Sequence, residues 1–266
     1  SIDEAQKRGM RAWAYDENGW PSGFGSGIVN GKGIAYQQKY LRMEGDICIN
    51  LTGDAEWMLE DADYEPYLWK DRQVWTKVGK GTKVLDLNGQ TLTSNNGENY
   101  HLVNAGELTI IDSGENGTIS VKSANKSANV IAVENNGTLT IEDGNFVATS
   151  GNRTAYALFS RGPSVIINGG TFDASFTKAT GIYQAMTLGL GGTDSTVVIN
   201  DCTVTATSVC ERTDTRCAAV YVVSNSNVQV TINGGTYTAT RTVGTNGASA
   251  LRNENGDKAA KVTVNG

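Results

Sequence analysis

"NGTLTIEDGNFVATS" (residues 136–150) and "PSVIINGGTFDASF" (163–176) follow one plan: an alternating apolar run, a short turn built on Gly, and a second alternating run. The plan returns in "STVVINDCTVTATS" (195–208) and "VQVTINGGTYTAT" (228–240). Strict alternation is the period of a half-buried strand, because successive side chains point to opposite faces. Each stretch therefore reads as strand, tight turn, strand.

Aligned on their central apolar residues, the runs place Leu87, Ile110, Ile141, Ile167, Ile199, Ile232 and Val264 in one column, at intervals of 23, 31, 26, 32, 33 and 32 residues. A repeat of that length marks a stacked architecture, and strand content with Gly-rich turns excludes the helical kinds. Beyond each turn, the first inward position falls on Phe146, Phe172, Val204 and Tyr237, and the next on Ala148, Ala174, Ala206 and Ala239. Thr203, Thr205, Thr207, Thr236, Thr238 and Thr240 then face the other way. A further strand recurs late in each repeat, at "VIAVEN" from Val130, "YALFSR" from Tyr156, "VYVVSN" from Val220 and "SALRNE" from Ser249. Three strands per repeat predict an all-β chain folded as a right-handed parallel β-helix of about seven coils, the hand following from parallel crossovers.

Composition agrees with this pattern. The 266 residues include 32 Gly, only 3 Pro, and many Asn and Thr, as suits short strands joined by tight turns. A net charge of -6 and a pI near 4.9 argue against a nucleic-acid partner. No run of apolar residues is long enough for a membrane-inserted helix. Before residue 76 the character differs, since all five Trp lie there, and 14 of the 28 carboxylates precede residue 87. These shifts divide the chain into 1–79 and 80–266, with a start of the second region's first strands near Asp46 as the alternative. The first segment, partly helical, is expected to cap one open end of the β-helix. An uncapped opposite end predicts end-to-end self-association.

Residues 80–266 resemble the parallel β-helix superfamily of pectate lyases, polygalacturonases, phage tailspikes and bacterial surface adhesins. In the first 45 residues, Tyr15 to Gly23 ("YDENGWPSG") resembles a strand end of the TIM-barrel glycoside hydrolases of α-L-rhamnosidase type. Both resemblances imply sugars. The second implies sugar contact by Tyr15 and Trp20, with Asp16 and Glu17 as a second choice of catalytic acids.

The β-helix itself carries a column of acids. Asp112, Asp143 and Asp201 stand two positions after their central apolar residues, and Glu142 is beside Asp143. Coils stack about 4.8 Å apart, so Asp112 and Asp143, with Glu142, are candidates for the carboxylate pair of a retaining glycosidase. The alternative role is turn formation, to which Asp and Asn are suited. Tyr183, Arg161 and Glu134 are candidate substrate-binding residues on or near the late strands. Four Cys (48, 202, 210 and 217) and a single His, His101, leave no His-rich metal site, although calcium could occupy a turn. Cys210 and Cys217, closing "CERTDTRC", are a candidate disulfide. The chain is thus expected to be an extracellular or cell-surface bacterial protein acting on polysaccharide, either as a glycoside hydrolase or as a non-catalytic adhesin-like rod.

Overall fold

The computed structural model describes residues 47–50, 55–58, 67–68, 82–94, 102–124, 128–180, 183–211, 216–224, 226–242, 247–254 and 260–265. All of them lie within one compact unit, Met43–Gly266. Tyr15, Asp16, Glu17, Trp20 and His101, the helical cap and the hydrolase-like segment fall outside the described residues.

The described part is an all-β parallel solenoid, without a helix among the described residues. Three sheets run along it. The first has eight parallel strands, from Ile47–Asn50 to Lys261–Val264. The second ends at Thr236–Arg241 on one side; on the other, Tyr67–Leu68 pairs antiparallel with Ala55–Met58. The third has six strands, from Leu102–Asn104 to Ala248–Asn253. Ile47–Asn50 pairs in parallel with Thr82–Asp86, so strands of the solenoid begin well before residue 80. About five turns are formed rather than seven. The reason is that a complete coil needs a strand in every sheet, and six strands in the third sheet enclose five steps.

The inward columns fall where alternation places them. Phe146 is in register with Phe172, then Val204 and Tyr237, and Ala148 with Ala174, Ala206 and Ala239. The Phe146 and Phe172 rings stack 4.8 Å apart at 13°. Thr203, Thr205 and Thr207 pair with Thr236, Thr238 and Thr240 on the opposite face. One column shifts: Leu85, not Leu87, is in register with Ile110. In "VLDLNG" both leucines are apolar and two apart, so alternation alone cannot choose between them.

The third sheet breaks the alternation. Its strands bury four residues in succession, as in Val130–Asn135 and Ala155–Ser160. Pairing skips the third residue of five of its strands (Ala132, Ala157, Thr187, Ala219 and Ala250), while Asn104 of Leu102–Asn104 pairs with Asn135. One strand also starts earlier than expected: Cys217–Val222, rather than a run beginning at Val220, pairs with Ala185–Leu190.

Short turns connect the first sheet to the second. Their last position holds Gly144, Gly170 and Gly235 at φ 121°, 95° and 105°, a region that side chains disfavour. A Cβ on Gly170 would lie 2.6 Å from the carbonyl of Gly144 in the coil below. The first position of these turns builds an exposed amide ladder. Asn265 donates to Asn233, Asn233 to Asn200, Asn200 to Asn168, and Asn168 to the Glu142 carboxylate, over 2.7–2.9 Å.

Candidate functional site

Two places gather polar chemistry: the acidic turns of the early coils and the outer face of the third sheet.

The turns bring the predicted acids together. Asp112 and Asp143 line one surface cavity of about 290 Å³, with Glu115, Asn116 and Asn145. Their oxygens, however, are engaged by the backbone. Asp112 accepts from the Gly89 N–H at 2.7 Å on one oxygen and from the Gly117 N–H at 2.6 Å on the other. Asp143 accepts from the N–H of its neighbour Gly144 at 2.7 Å. Glu142 is the terminal acceptor of the amide ladder. Asp86, buried and unremarked in the sequence reading, accepts from the Asn88 and Ser113 N–H groups at 2.9 Å and from the Ser113 hydroxyl at 2.7 Å. Burial works to raise its pKa, but the bonds from Ser113 and Asn88 prevail and hold the carboxyl below the ordinary carboxylate value. Asp112 and Asp86 thus tie the turn after Thr82–Asp86 to the turn of the next coil. No group of three or more His, Cys, Asp or Glu among the described residues is arranged to hold a metal ion.

The outer face of the third sheet is different in kind. One register column crosses five coils as Glu134, Phe159, Gly189, Tyr221 and Arg252. Beside it, Ile131, Tyr156, Met186 and Ala218 form an apolar cluster separate from the main core, with Phe159 and Tyr221 packed against it. Gly189 makes room for the rings: a Cβ there would lie 2.7 Å from both Phe159 and Tyr156. The two aromatics lean together, with centroids 4.9 Å apart. Exposed Arg161 holds its guanidinium carbon 5.0 Å from the Phe159 ring centre. At the other end, Glu254 bonds Arg216, Arg252 (2.7 Å) and the Tyr221 hydroxyl (3.1 Å). Burial and the neighbouring Arg216 lower the Arg252 pKa, while burial and Tyr221 push the Tyr156 phenol up. The strip therefore reads, along the solenoid, as acid, ring, a glycine covered by the neighbouring rings, ring and cation.

Of the predicted binding residues, Glu134 and Arg161 join this strip. Glu134 accepts from the Asn136 side chain. Tyr183 instead packs against the main core, its hydroxyl bonded by Arg153, whose guanidinium carbon lies 4.7 Å from the ring centre. Phe159, Tyr156 and Gly189 were missed, because these strands bury successive residues and no alternation shows which residues of "YALFSR" and "AMTLGL" point outward. The disulfide expected between Cys210 and Cys217 is not formed. Cys202, Cys210 and Cys217 are buried free thiols, because the inward positions they occupy are apolar core positions filled as small hydrophobes. Burial pushes the Cys202 and Cys217 thiols up to about 11.

No family model matches the chain, and no curated protein or solved structure is significantly similar to it.

Proposed function

We propose that the chain is a non-catalytic, carbohydrate-binding surface rod of the adhesin-like kind, and that the outer face of its third sheet holds the sugar. The observation that carries this reading is the column Glu134, Phe159, Gly189, Tyr221, Arg252. Phe159 and Tyr221 are two coil steps apart, about 10 Å, a separation that a short stretch of sugar chain laid along the solenoid spans. Rings present apolar faces to the C–H faces of pyranoses, while Arg161, Arg252 and Glu134 offer directional bonds to hydroxyls. Gly189, buried between Phe159 and Tyr221 in the column, lets the Phe159 and Tyr156 rings lie over its backbone and keeps the strip free of a projecting side chain there. A cell-surface setting goes with this reading and with the acidic, hydroxyl-rich composition.

The turn acids support a rod over a hydrolase. A glycosidase pair needs one carboxyl to protonate the leaving oxygen and another to attack or activate water. The bonds to Asp112, Asp143 and Glu142 described above serve turns and the ladder. The hydrolase reading retains one favouring observation, that Asp112 and Asp143 share a cavity.

The test is binding to a panel of soluble plant and bacterial polysaccharides, read by affinity electrophoresis. Wild type is expected to be retarded by at least one of them. Phe159→Ala and Tyr221→Ala should each weaken that retention by about tenfold, the loss of roughly one ring contact. Asp173→Ala, on the outer face of the second sheet, should leave it unchanged. Equal retention of all four proteins, or retention of none, would sink the proposal.

A further inference from the structure

An Asn followed by Gly is the dipeptide most open to internal attack, because Gly leaves its backbone nitrogen unshielded beside the Asn side-chain amide. Five such pairs have both members among the described residues: Asn88-Gly89, Asn116-Gly117, Asn136-Gly137, Asn168-Gly169 and Asn233-Gly234. All sit in turns, where the reaction would ordinarily be fast. Four of them are held in two different ways, while at the fifth Asn136 donates to Glu134 and the Gly137 N–H to Asn135.

Asn168 and Asn233 are held at the side chain. Each has its amide nitrogen donating to one neighbour of the ladder and its oxygen accepting from another, which fixes the carbon that would be attacked. Asn88 and Asn116 are held at the attacking atom instead. The Gly89 and Gly117 N–H groups are the two that Asp112 binds, one on each carboxylate oxygen, at 2.7 and 2.6 Å. Both asparagines are in the left-handed region, at φ 48° and 66°. A single carboxylate thus grips both potential nucleophiles, from turns in adjacent coils.

We propose that Asn88 and Asn116 are latent succinimide-forming modification sites which Asp112 keeps inactive. In the reaction, the Gly nitrogen bonds to the Asn side-chain carbonyl carbon and the bond from that carbon to the amide nitrogen breaks. Ammonia leaves, carrying away the proton that the Gly nitrogen gave up. Water then opens the ring at one carbonyl or the other, giving aspartate or isoaspartate. Asp112 opposes the first step, because a carboxylate bonded to the N–H resists its deprotonation and holds the nitrogen toward itself. Isoaspartate would add a methylene to the main chain where none fits. A Cβ on Gly114 would already lie 2.5 Å from the Gly89 nitrogen and 2.6 Å from the Asn88 carbonyl carbon. Conversion at either site would therefore pry apart the turns of two adjacent coils, making Asp112 the residue that sets how long this end of the rod lasts.

The test is peptide mapping by mass spectrometry after prolonged incubation at neutral pH, scoring amide-to-acid conversion and isoaspartate at each pair. Native wild type, wild type unfolded in urea, and native Asp112→Ala are compared. In native wild type, Asn88 and Asn116 should convert far more slowly than in the unfolded chain. Asp112→Ala should raise both rates by at least roughly tenfold, the scale of losing a charge-assisted hydrogen bond, with Asn168 and Asn233 unchanged. Conversion of Asn88 and Asn116 in native wild type at the unfolded rate would overturn the proposal, and that comparison needs no variant to fold. Unchanged rates in Asp112→Ala would overturn it too. So would a rise shared equally by Asn168 and Asn233, since lost structure rather than a lost clamp would then account for it.

Discussion

Replacing Phe172 by Ala removes a ring that is 1% exposed, lies on the inward column of the second sheet, and stacks on Phe146. Deleting a buried Phe side chain costs about 3–5 kcal/mol, the spread reflecting how far the cavity collapses. Collapse should be limited here, because the neighbours above and below belong to strands pinned by continuous parallel ladders. The cost therefore belongs near the upper end of that range, a large share of the roughly 5–15 kcal/mol that stabilises a typical domain. Solenoid coils contact only their neighbours, so the damage should be local. Hydrogen exchange should quicken in Asn145–Ser150, Thr171–Phe176 and Thr203–Ser208, and least in Thr118–Ser123. Urea unfolding would give the free energy, with Asp173→Ala as the partner measurement. Asp173 is the next residue along, faces outward, and should cost no more than about 1 kcal/mol. A one-residue slip in register exchanges the two faces. Equal costs for the two variants, or a Phe172→Ala cost below about 1 kcal/mol, would therefore refute the inward column on which the fold rests.

Asp86→Asn should destabilise the protein at neutral pH by about 1–3 kcal/mol, through lost bonds to Asn88 and Ser113. Because the folded carboxyl titrates below its unfolded value, its stabilisation is complete above the unfolded pKa and fades as pH falls through the folded one. The gap between wild type and variant in urea midpoint should accordingly close in strong acid, and a gap that widens there would contradict the assignment. Asn200→Ala cuts the amide ladder on both sides. Exposure to water limits the cost to about 0.5–1.5 kcal/mol by thermal or urea unfolding. Cys202 and Cys217 should resist alkylation in the native state at mildly alkaline pH, as buried thiols with pKa near 11. Both should label once the chain is unfolded without reductant, and a Cys210–Cys217 disulfide in the peptide map would reverse that expectation.

From Glu107–Ile111 to Thr236–Arg241 the strands of the first two sheets alternate and each turn is marked by Gly or Asn, and there the sequence carried the fold. The strands before residue 80, by contrast, were read as part of a cap. "NFVATS", "TFDASF" and "TVTATS" name their own inward residues. Ambiguity entered where alternation is silent. Leu85 and Leu87 satisfy the same column, and only neighbouring strands decide between them. Strands of the third sheet bury four or more residues in succession, as in Val130–Asn135, Ala155–Ser160 and Ala185–Leu190, so burial there has no period of two to mark the outward positions. That is why Phe159 and Tyr156 escaped notice although Arg161, just past the same strand, did not. The acid column was legible as a column, and Asp112 and Asp143 do meet at one cavity. What spacing could not convey was the partner of each oxygen, since a turn acid and a catalytic acid occupy the same position in a sequence and differ only in whether a backbone N–H is within reach.

The most direct measurement of the central claim follows new reducing ends while wild-type protein is incubated with whichever polysaccharide retards it. Retention without any release of reducing ends is the predicted result, and Asp143→Asn should bind as wild type does. Sustained release that Asp143→Asn abolishes, in a variant that still folds and still binds, would contradict it and make the cavity between Asp112 and Asp143 an active site.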